Sequence, residues 1–424
     1  GPHPAARAAV SALSTGRPRD FVALARMPSA RGVLAPLLAA RWATAAAGPS
    51  KAERIEGAYF GALVADALCL GSHYEYSAPA IKAAYGGTIG GYKAPGEDMG
   101  GTTHGVGWGR QNYHPGQKRG DQTDYGEYTV LMLEYLANHE TKPQSPPVNL
   151  QSLIEKVWLP KMTTPGAWGA WKCTQTKGAL QAVARMSQSK AGLSSYRDAE
   201  ISRATAGRSN AMSLRSAAGL GVYESEDDMA LATHRMMFTH GSEEALAGGE
   251  FFARVAHKLV HQGVPASLED LLLETAKVVS PWIEQQVRKG VDKFREATDA
   301  SKPLSTQEFV DDLAVTSMAR LWDVGKSEPI KVGKASPTEG VLPASVYIIL
   351  KYRESFEDAV KANVMVGGDN ASRSVAIGMV LGAYHGVGAI PADLRTGLNA
   401  WKKSEPWLAR LSLLRSLKPG AAEL

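Results

Sequence analysis

The sequence predicts an all-α protein folded as a compact single-domain helical bundle. Apolar residues recur at i, i+3 and i+4 through a succession of segments roughly 10–20 residues long, the spacing of one helix face. The period-2 alternation of half-buried strands is almost absent. Gly57, Gly61 and Ala65 recur every fourth residue, giving a smooth face on which a second helix can approach closely.

In chain order, the helical pattern begins at Glu53 and runs through the small-residue face into Gly71-Ser72-His73-Tyr74-Glu75. A loop follows at Gly86–Gly120, with twelve glycines in 35 residues and Tyr92, Trp108 and Tyr113 between them. A long stretch without periodicity is usually functional or disordered, and the interleaved aromatics favour order. Further helices are expected over Asp124–Asn138, Leu150–Trp158, Gly178–Gln188, Ala211–Tyr223, Glu226–Phe238, Glu243–Val260 and Leu268–Arg295. The last group covers Thr306–Arg320, Pro343–Tyr352, Ser355–Asn363 and Asp369–His385. Short connections and the lack of a linker predict one domain over residues 53–424.

Composition narrows the function classes. At 44% hydrophobic and 21% charged residues the chain has the make-up of a globular protein. No stretch approaches the roughly 20 uncharged apolar residues of a membrane span, so no membrane partner is expected. The two cysteines, Cys69 and Cys173, form no CxxC pair, which excludes zinc fingers and disulfide scaffolds. The pI near 9.0 raises the question of nucleic acid. Up to Ser50, however, six arginines stand against one acid, a net +5 that equals the net charge of the whole chain. The body is therefore neutral overall, and no nucleic-acid groove is expected. Residues 1–52, rich in Ala, Arg, Ser and Pro, read as an organelle transit peptide (plastid or mitochondrial) or as a disordered extension; without such a leader a cytoplasmic location is expected.

Two distant segments carry polar residues into apolar helices. Gly120-Asp121-Gln122-Thr123-Asp124-Tyr125-Gly126-Glu127 opens one, and Gly367-Gly368-Asp369-Asn370-Ala371-Ser372-Arg373 opens the other. Taken singly, each is explained as an N-cap. Together, oxygen ligands at two helix starts can converge on a hard cation such as Mg²⁺ or on an anionic ligand. Asp66 lies inside an apolar helix, where a buried carboxylate needs partners. Glu75, just past that helix, is placed for general acid or base work, with a solvated surface residue as the plainer reading. His257 and His261 at i, i+4 lack the Glu of an HExxH motif and read as an ordinary pair. Gly105–Gly109 follows no strand, which argues against dinucleotide binding. Tyr92, Trp108, Tyr113 and the Trp168–Thr176 segment are open to two readings, cleft walls or simple packing.

These motifs, taken in order, resemble the ADP-ribosylglycohydrolase family. Gly57–Glu75 is similar to its opening signature, with small residues, then Asp66-Ala67, then Gly71 and Glu75. Thr123-Asp124 falls where the family carries Thr-Asp-Asp-Thr, and Glu354–Val360 through Gly367-Gly368-Asp369 resembles its closing signature. Gly382-Ala383-Tyr384-His385-Gly386 with Ile390-Pro391, Asn210-Ala211-Met212 with Arg215, and Thr239-His240 fit in the expected order over about residues 53–400.

The resemblance implies an all-α domain with a binuclear Mg²⁺ site that polarises ribose hydroxyls and a water while a carboxylate assists attack at the anomeric carbon. It assigns Glu75, Asp124 and Asp369 to catalysis, and Thr123, Tyr125, Gly126, Asn210, Asn370 and Arg373 to contact with a small-molecule or ADP-ribosyl-type ligand. Thr123, Asp124, Asp369 and Ser372 remain as metal ligands. Tyr125 and Ala371 stand where the family has ligating Asp, and Gly126 replaces the second Thr. With two carboxylates lost, at most one weakly held Mg²⁺ is expected. Arg373, at i+4 from Asp369 on one helix face, is expected to lie beside Asp369 and Asp124 as a substitute positive charge. Two functions stay open: hydrolysis of a glycosidic bond in an ADP-ribosyl or related nucleotide-sugar substrate, or a catalytically altered, crystallin-like or ligand-binding protein, as in the J-type lens crystallins that the departures also resemble.

Overall fold

A computed structural model describes residues 48–99, 113–140, 142–143, 145–187, 214–318, 321–322 and 330–418, with backbone alone at 321–322 and 330–332. Residues 1–47, Trp108, the Gly105–Gly109 run and Asn210-Ala211-Met212 lie outside them. The helices are, in order, α1 (Lys51–Cys69), α2 (Ala78–Ala84), α3 (Asp124–His139), α4 (Leu150–Leu153), α5 (Leu159–Thr163) and α6 (Thr174–Ser187). There follow α7 (Glu226–Met236), α8 (Glu243–Gln262), α9 (Leu268–Val279), α10 (Pro281–Thr298) and α11 (Val310–Ser317). Next come α12 (Thr338–Lys351), α13 (Phe356–Val366), α14 (Asn370–His385), α15 (Ala392–Gly397), α16 (Trp401–Leu408) and α17 (Ser412–Leu417). Among the described residues the one strand pairing is a two-residue antiparallel ladder, Leu321–Trp322 with Ile330–Lys331.

Helix α1 begins in a capping box: the Ser50 hydroxyl accepts from Glu53 N and the Glu53 carboxylate accepts from Ser50 N at 2.8 Å. Its start precedes Glu53 by two residues. Nearly all of α1 and α14 is buried, the pattern of helices enclosed on every side. The two pack against each other in opposite directions, Gly57 against Gly382 and Gly61 against Gly378. A Cβ on any of these four glycines would collide with the carbonyl oxygen of its opposite number. The face predicted from Gly57, Gly61 and Ala65 therefore meets a matching face, with Gly378 against Ala65 as well. Helices α8, α12 and α13 complete the shell around α14, and α10 lies outside α12.

Three expected helices differ in form. Leu268–Arg295 is two helices, because Ser280 turns fully extended (φ −170°, ψ 158°) and caps α10, while Pro281 has no N–H to continue the ladder of α9. The apolar period runs unbroken through that joint, so periodicity alone does not reveal it. Within Ala211–Tyr223 the described residues hold a 3₁₀ segment, Ser216–Gly221, tucked so closely that a Cβ at Gly219 would meet Met229 and one at Gly221 would meet Leu411. Leu150–Trp158 continues to Thr163 through a π-turn at Ile154–Trp158.

Gly382→Ala places a methyl against the Gly57 backbone and is expected to cost at least about 2 kcal/mol in urea unfolding. Gly388→Ala, which meets nothing within 4 Å, should stay within about 0.5 kcal/mol of the parent. Equal effects at the two sites would refute the backbone contact.

Candidate functional site

Because α1 and α14 run in opposite directions, the end of α1 lies beside the start of α14. Asp66, buried in α1, accepts hydrogen bonds from Thr123 N at 2.8 Å and Thr123 Oγ1 at 2.5 Å. It also accepts from Gly126 N, and from the Gln122 carboxamide, whose nitrogen by its surroundings faces inward, at 3.0 Å. These donors fasten the start of α3 onto α1. Burial pushes the Asp66 carboxyl up to about 7, against the opposing pull of the Thr123 bonds. Gly126 is part of the same knot, since a Cβ there would collide with the Asp66 carboxylate and the Gln122 side chain.

The turn between α13 and α14 needs two left-handed residues, Gly367 (φ 73°) and Gly368 (φ 69°). Gly368 bonds the chain leaving α1 in both directions: Tyr74 N donates to Gly368 O at 2.7 Å, and Gly368 N donates to Glu75 O at 2.6 Å. Asp369 caps α14 through Ser372 N at 3.2 Å, and its Oδ2 accepts the Tyr125 hydroxyl at 2.9 Å. That last bond joins the two polar segments directly. Asn370 donates through Nδ2 to Ser72 Oγ at 2.9 Å and turns Oδ1 toward His73 Nδ1 at 3.2 Å.

Around this frame, His73, His114 and Asp124 each offer a ligand atom within 4.8 Å of the other two. All three are buried; Asp124 is the most open at 7% exposure. Burial pushes His73 down to about 3 and drives His114 well down, so both rings are neutral near pH 7. Burial also lifts the Asp124 carboxyl well above its ordinary range, with the Asp369 and Asp66 charges adding to the rise. Aromatic rings continue outward from His73: Tyr74 at 4.0 Å, Tyr113 at 4.9 Å from Tyr74, and Trp171 at 5.0 Å from Tyr113. Tyr113 and Trp171 thus extend this ring series, whereas Tyr92 bonds Leu394 O at 2.8 Å and packs on Gly397. Trp168 lies against Tyr128.

The segments read as caps are caps, and they also converge. Thr123 Oγ1 accepts from Tyr125 N and donates to Asp66, so its hydroxyl is engaged on both sides. Ser372 Oγ donates to Asp369 O at 2.8 Å. Arg373 departs from expectation. Its Nε donates to Asn363 Oδ1 at 2.8 Å and its Nη2 to Gly367 O at 2.5 Å, with no ion pair to Asp369 or Asp124. The carbonyl at the end of α13 and the Asn363 amide draw the guanidinium back over that helix; burial pushes the Asp369 carboxyl up, and the Arg373 charge pulls against that rise. Glu75 is half-buried, with Oε1 accepting Ser77 N at 2.8 Å ahead of α2. Arg215 meets Thr239 and His240, with Nη2 to Thr239 Oγ1 at 2.7 Å, and lies over the Tyr128 ring. His257 and His261 stack at 4.0 Å, and His257 Nε2 bonds Glu224 O. The sequence assigned no role to His73 or His114; their one signal is the presence of histidine in the Glu75 string and in the glycine-rich loop.

The sequence profile of the ADP-ribosylglycohydrolase family matches residues 47–420. The chain belongs to the ADP-ribosylglycohydrolase family. Its fold is shared with a solved "ADP-ribosylglycohydrolase-related protein complex" at a TM-score of 0.54 and 18% identity, covering 86% of this chain and 99% of that one. No curated protein sequence matches this family member significantly. Members are typically metal-dependent, and the His73, His114 and Asp124 group is a possible site for an ion. A binuclear Mg²⁺ arrangement does not fit the donors present. Thr123 Oγ1 is engaged by Asp66 and Tyr125 N, Asp369 is held by Tyr125 and Ser372, and position 371 has no side-chain oxygen.

Removing Asp66 strips several buried donors of their acceptor at once. Asp66→Ala is expected to cost about 3–5 kcal/mol in chemical unfolding. A loss under about 1 kcal/mol would show that the knot is not holding α3 in place.

Proposed function

We propose that this family member hydrolyses a glycosidic bond in an ADP-ribosyl or related nucleotide-sugar substrate, with Glu75 as the acid/base and Asp124 and Asp369 around the reacting sugar. The observation that carries this reading is the backbone pairing of Glu75 with Gly368, which brings Glu75, a half-buried acid, next to the residue that precedes Asp369. Glu75 Oε2 makes no hydrogen bond within the described residues and is free to act.

In the reaction, water adds to the anomeric carbon as the bond to the leaving group breaks. Glu75 takes a proton from that water and returns it to the departing atom, so the leaving group is released as its conjugate acid. The Asp124 side chain makes no hydrogen bond to another described side chain, so it is available to a ribose hydroxyl or to the positive charge that builds at the anomeric carbon. Asp369, fixed by Tyr125 and the α14 cap, adds a stationary negative field. Tyr113 and Trp171, next in the ring series from His73, are the aromatic groups placed to meet a base or sugar. No step is routed through a metal.

The test is free ADP-ribose released by the full chain from arginine- and serine-linked ADP-ribosyl peptides and from nucleotide sugars, with and without divalent ions. Glu75→Gln is expected to lower kcat by about 10²–10⁴-fold at unchanged thermal stability. Absence of turnover on every substrate, or a fully active Glu75→Gln variant, would overturn the assignment.

A further inference from the structure

We infer that His73, His114 and Asp124 form a mononuclear site for one divalent transition-metal ion of the Zn²⁺ class, in place of a Mg²⁺ pair. Three observations carry this. The ligand atoms already lie within 4.8 Å of one another with all three side chains buried. Bonds of about 2.0–2.2 Å to a common ion set ligand atoms roughly 3–3.4 Å apart, so closure asks only for side-chain shifts of order 1 Å.

The second observation is the state of His73. A carboxamide oxygen only accepts, so Asn370 Oδ1 at 3.2 Å fixes a proton on Nδ1, and Asn370 is itself oriented by donating to Ser72. The ring's lone pair is therefore on Nε2, which is buried without a hydrogen-bond partner. A partner on one nitrogen that fixes the tautomer and leaves the other for metal is the usual outer support of a ligating histidine.

The third is donor chemistry. Two imidazoles and one carboxylate suit Zn²⁺, Co²⁺ or Fe²⁺, whereas Mg²⁺ prefers oxygen alone. The nearby arginines do not take the ion's place: Arg373 bonds Asn363 and Gly367 O, and Arg215 bonds Thr239. A site with three protein ligands keeps at least one position for water or substrate. The inference concerns binding alone, so a chain without hydrolase activity would still satisfy it, and the two failures can be told apart.

The full chain, stripped with a chelator, is titrated with Zn²⁺, Co²⁺ and Mg²⁺ by calorimetry, and metal content is counted by elemental analysis. One ion per chain is expected, with Zn²⁺ and Co²⁺ bound at least about 10³-fold more tightly than Mg²⁺. Co²⁺ should show the intense visible bands of a low-coordinate nitrogen site. His73→Ala and His114→Ala should each weaken binding by at least about 10²-fold, and Asn370→Ala by about 10–100-fold. Asn370→Asp, which keeps an acceptor toward Nδ1, should restore most of it. Thermal unfolding of the stripped variants separates lost ligands from lost fold. Two ions per chain, Mg²⁺ bound as tightly as Zn²⁺, a weak octahedral Co²⁺ spectrum, or Co²⁺ binding that ignores both histidines would overturn the site.

Discussion

Four glycines, Gly57 and Gly61 on α1 with Gly378 and Gly382 on α14, let two helix backbones touch where side chains would hold them apart. The polar groups where the end of α1 meets the start of α14 depend on that contact. It is antiparallel, so the end of one helix is carried to the start of the other. A helix start presents free N–H groups and a positive dipole end, and here Asp369 answers them. The chain leaving α1 is then tied to the α13–α14 turn through Gly368, which positions Glu75, while Asn370 at the start of α14 holds His73. Side chains at 57 or 382 would move these groups apart, so the crossing acts on the site as well as on the core.

Three aspartates share this low-dielectric region and differ by their donors. Asp66 gathers Thr123, Gln122 and Gly126 and serves as a structural anchor for α3. Asp369 has the α14 cap and Tyr125, which fix its orientation. Asp124 has neither, and burial lifts it well above the ordinary carboxylate range. A buried carboxylate short of donors is costly until it meets a proton, a cation or a substrate hydroxyl. The donor count thus ranks the three, from scaffold at Asp66 to exchangeable contact at Asp124.

Much of this was legible in the sequence, for reasons specific to each element. Helical periodicity and the small-residue face of α1 are local patterns, and both the helices and the close crossing follow from them. The caps at Thr123 and Asp369 were visible because capping chemistry is local too. The partition at Ser280 was hidden by an apolar stripe that continues across the joint. Arg373 shows a further limit: spacing puts it on the face of Asp369, yet neighbours from α13, not spacing, decide where a long side chain ends. His73 and His114 meet only through the fold, and no spacing rule links a residue after α1 to one in the glycine-rich loop.

The positions at which the sequence is expected to depart from the family's ligand signature are also linked to one another. Tyr125 stands where a second Asp is expected, and its hydroxyl donates to Asp369, supplying a neutral donor where a metal would have supplied charge. Asn370, beside the missing carboxylate at 371, orients His73. At Gly126, where the resemblance places a Thr, a Cβ would strike Asp66. Here the Tyr125 hydroxyl satisfies Asp369, the Asn370 amide satisfies both Ser72 and His73, and the absent Cβ at position 126 leaves room for the Asp66 bonds. The partnerless lone pair left within this surround, at His73 Nε2, is a nitrogen donor, a different class of ligand from the carboxylate oxygens around it.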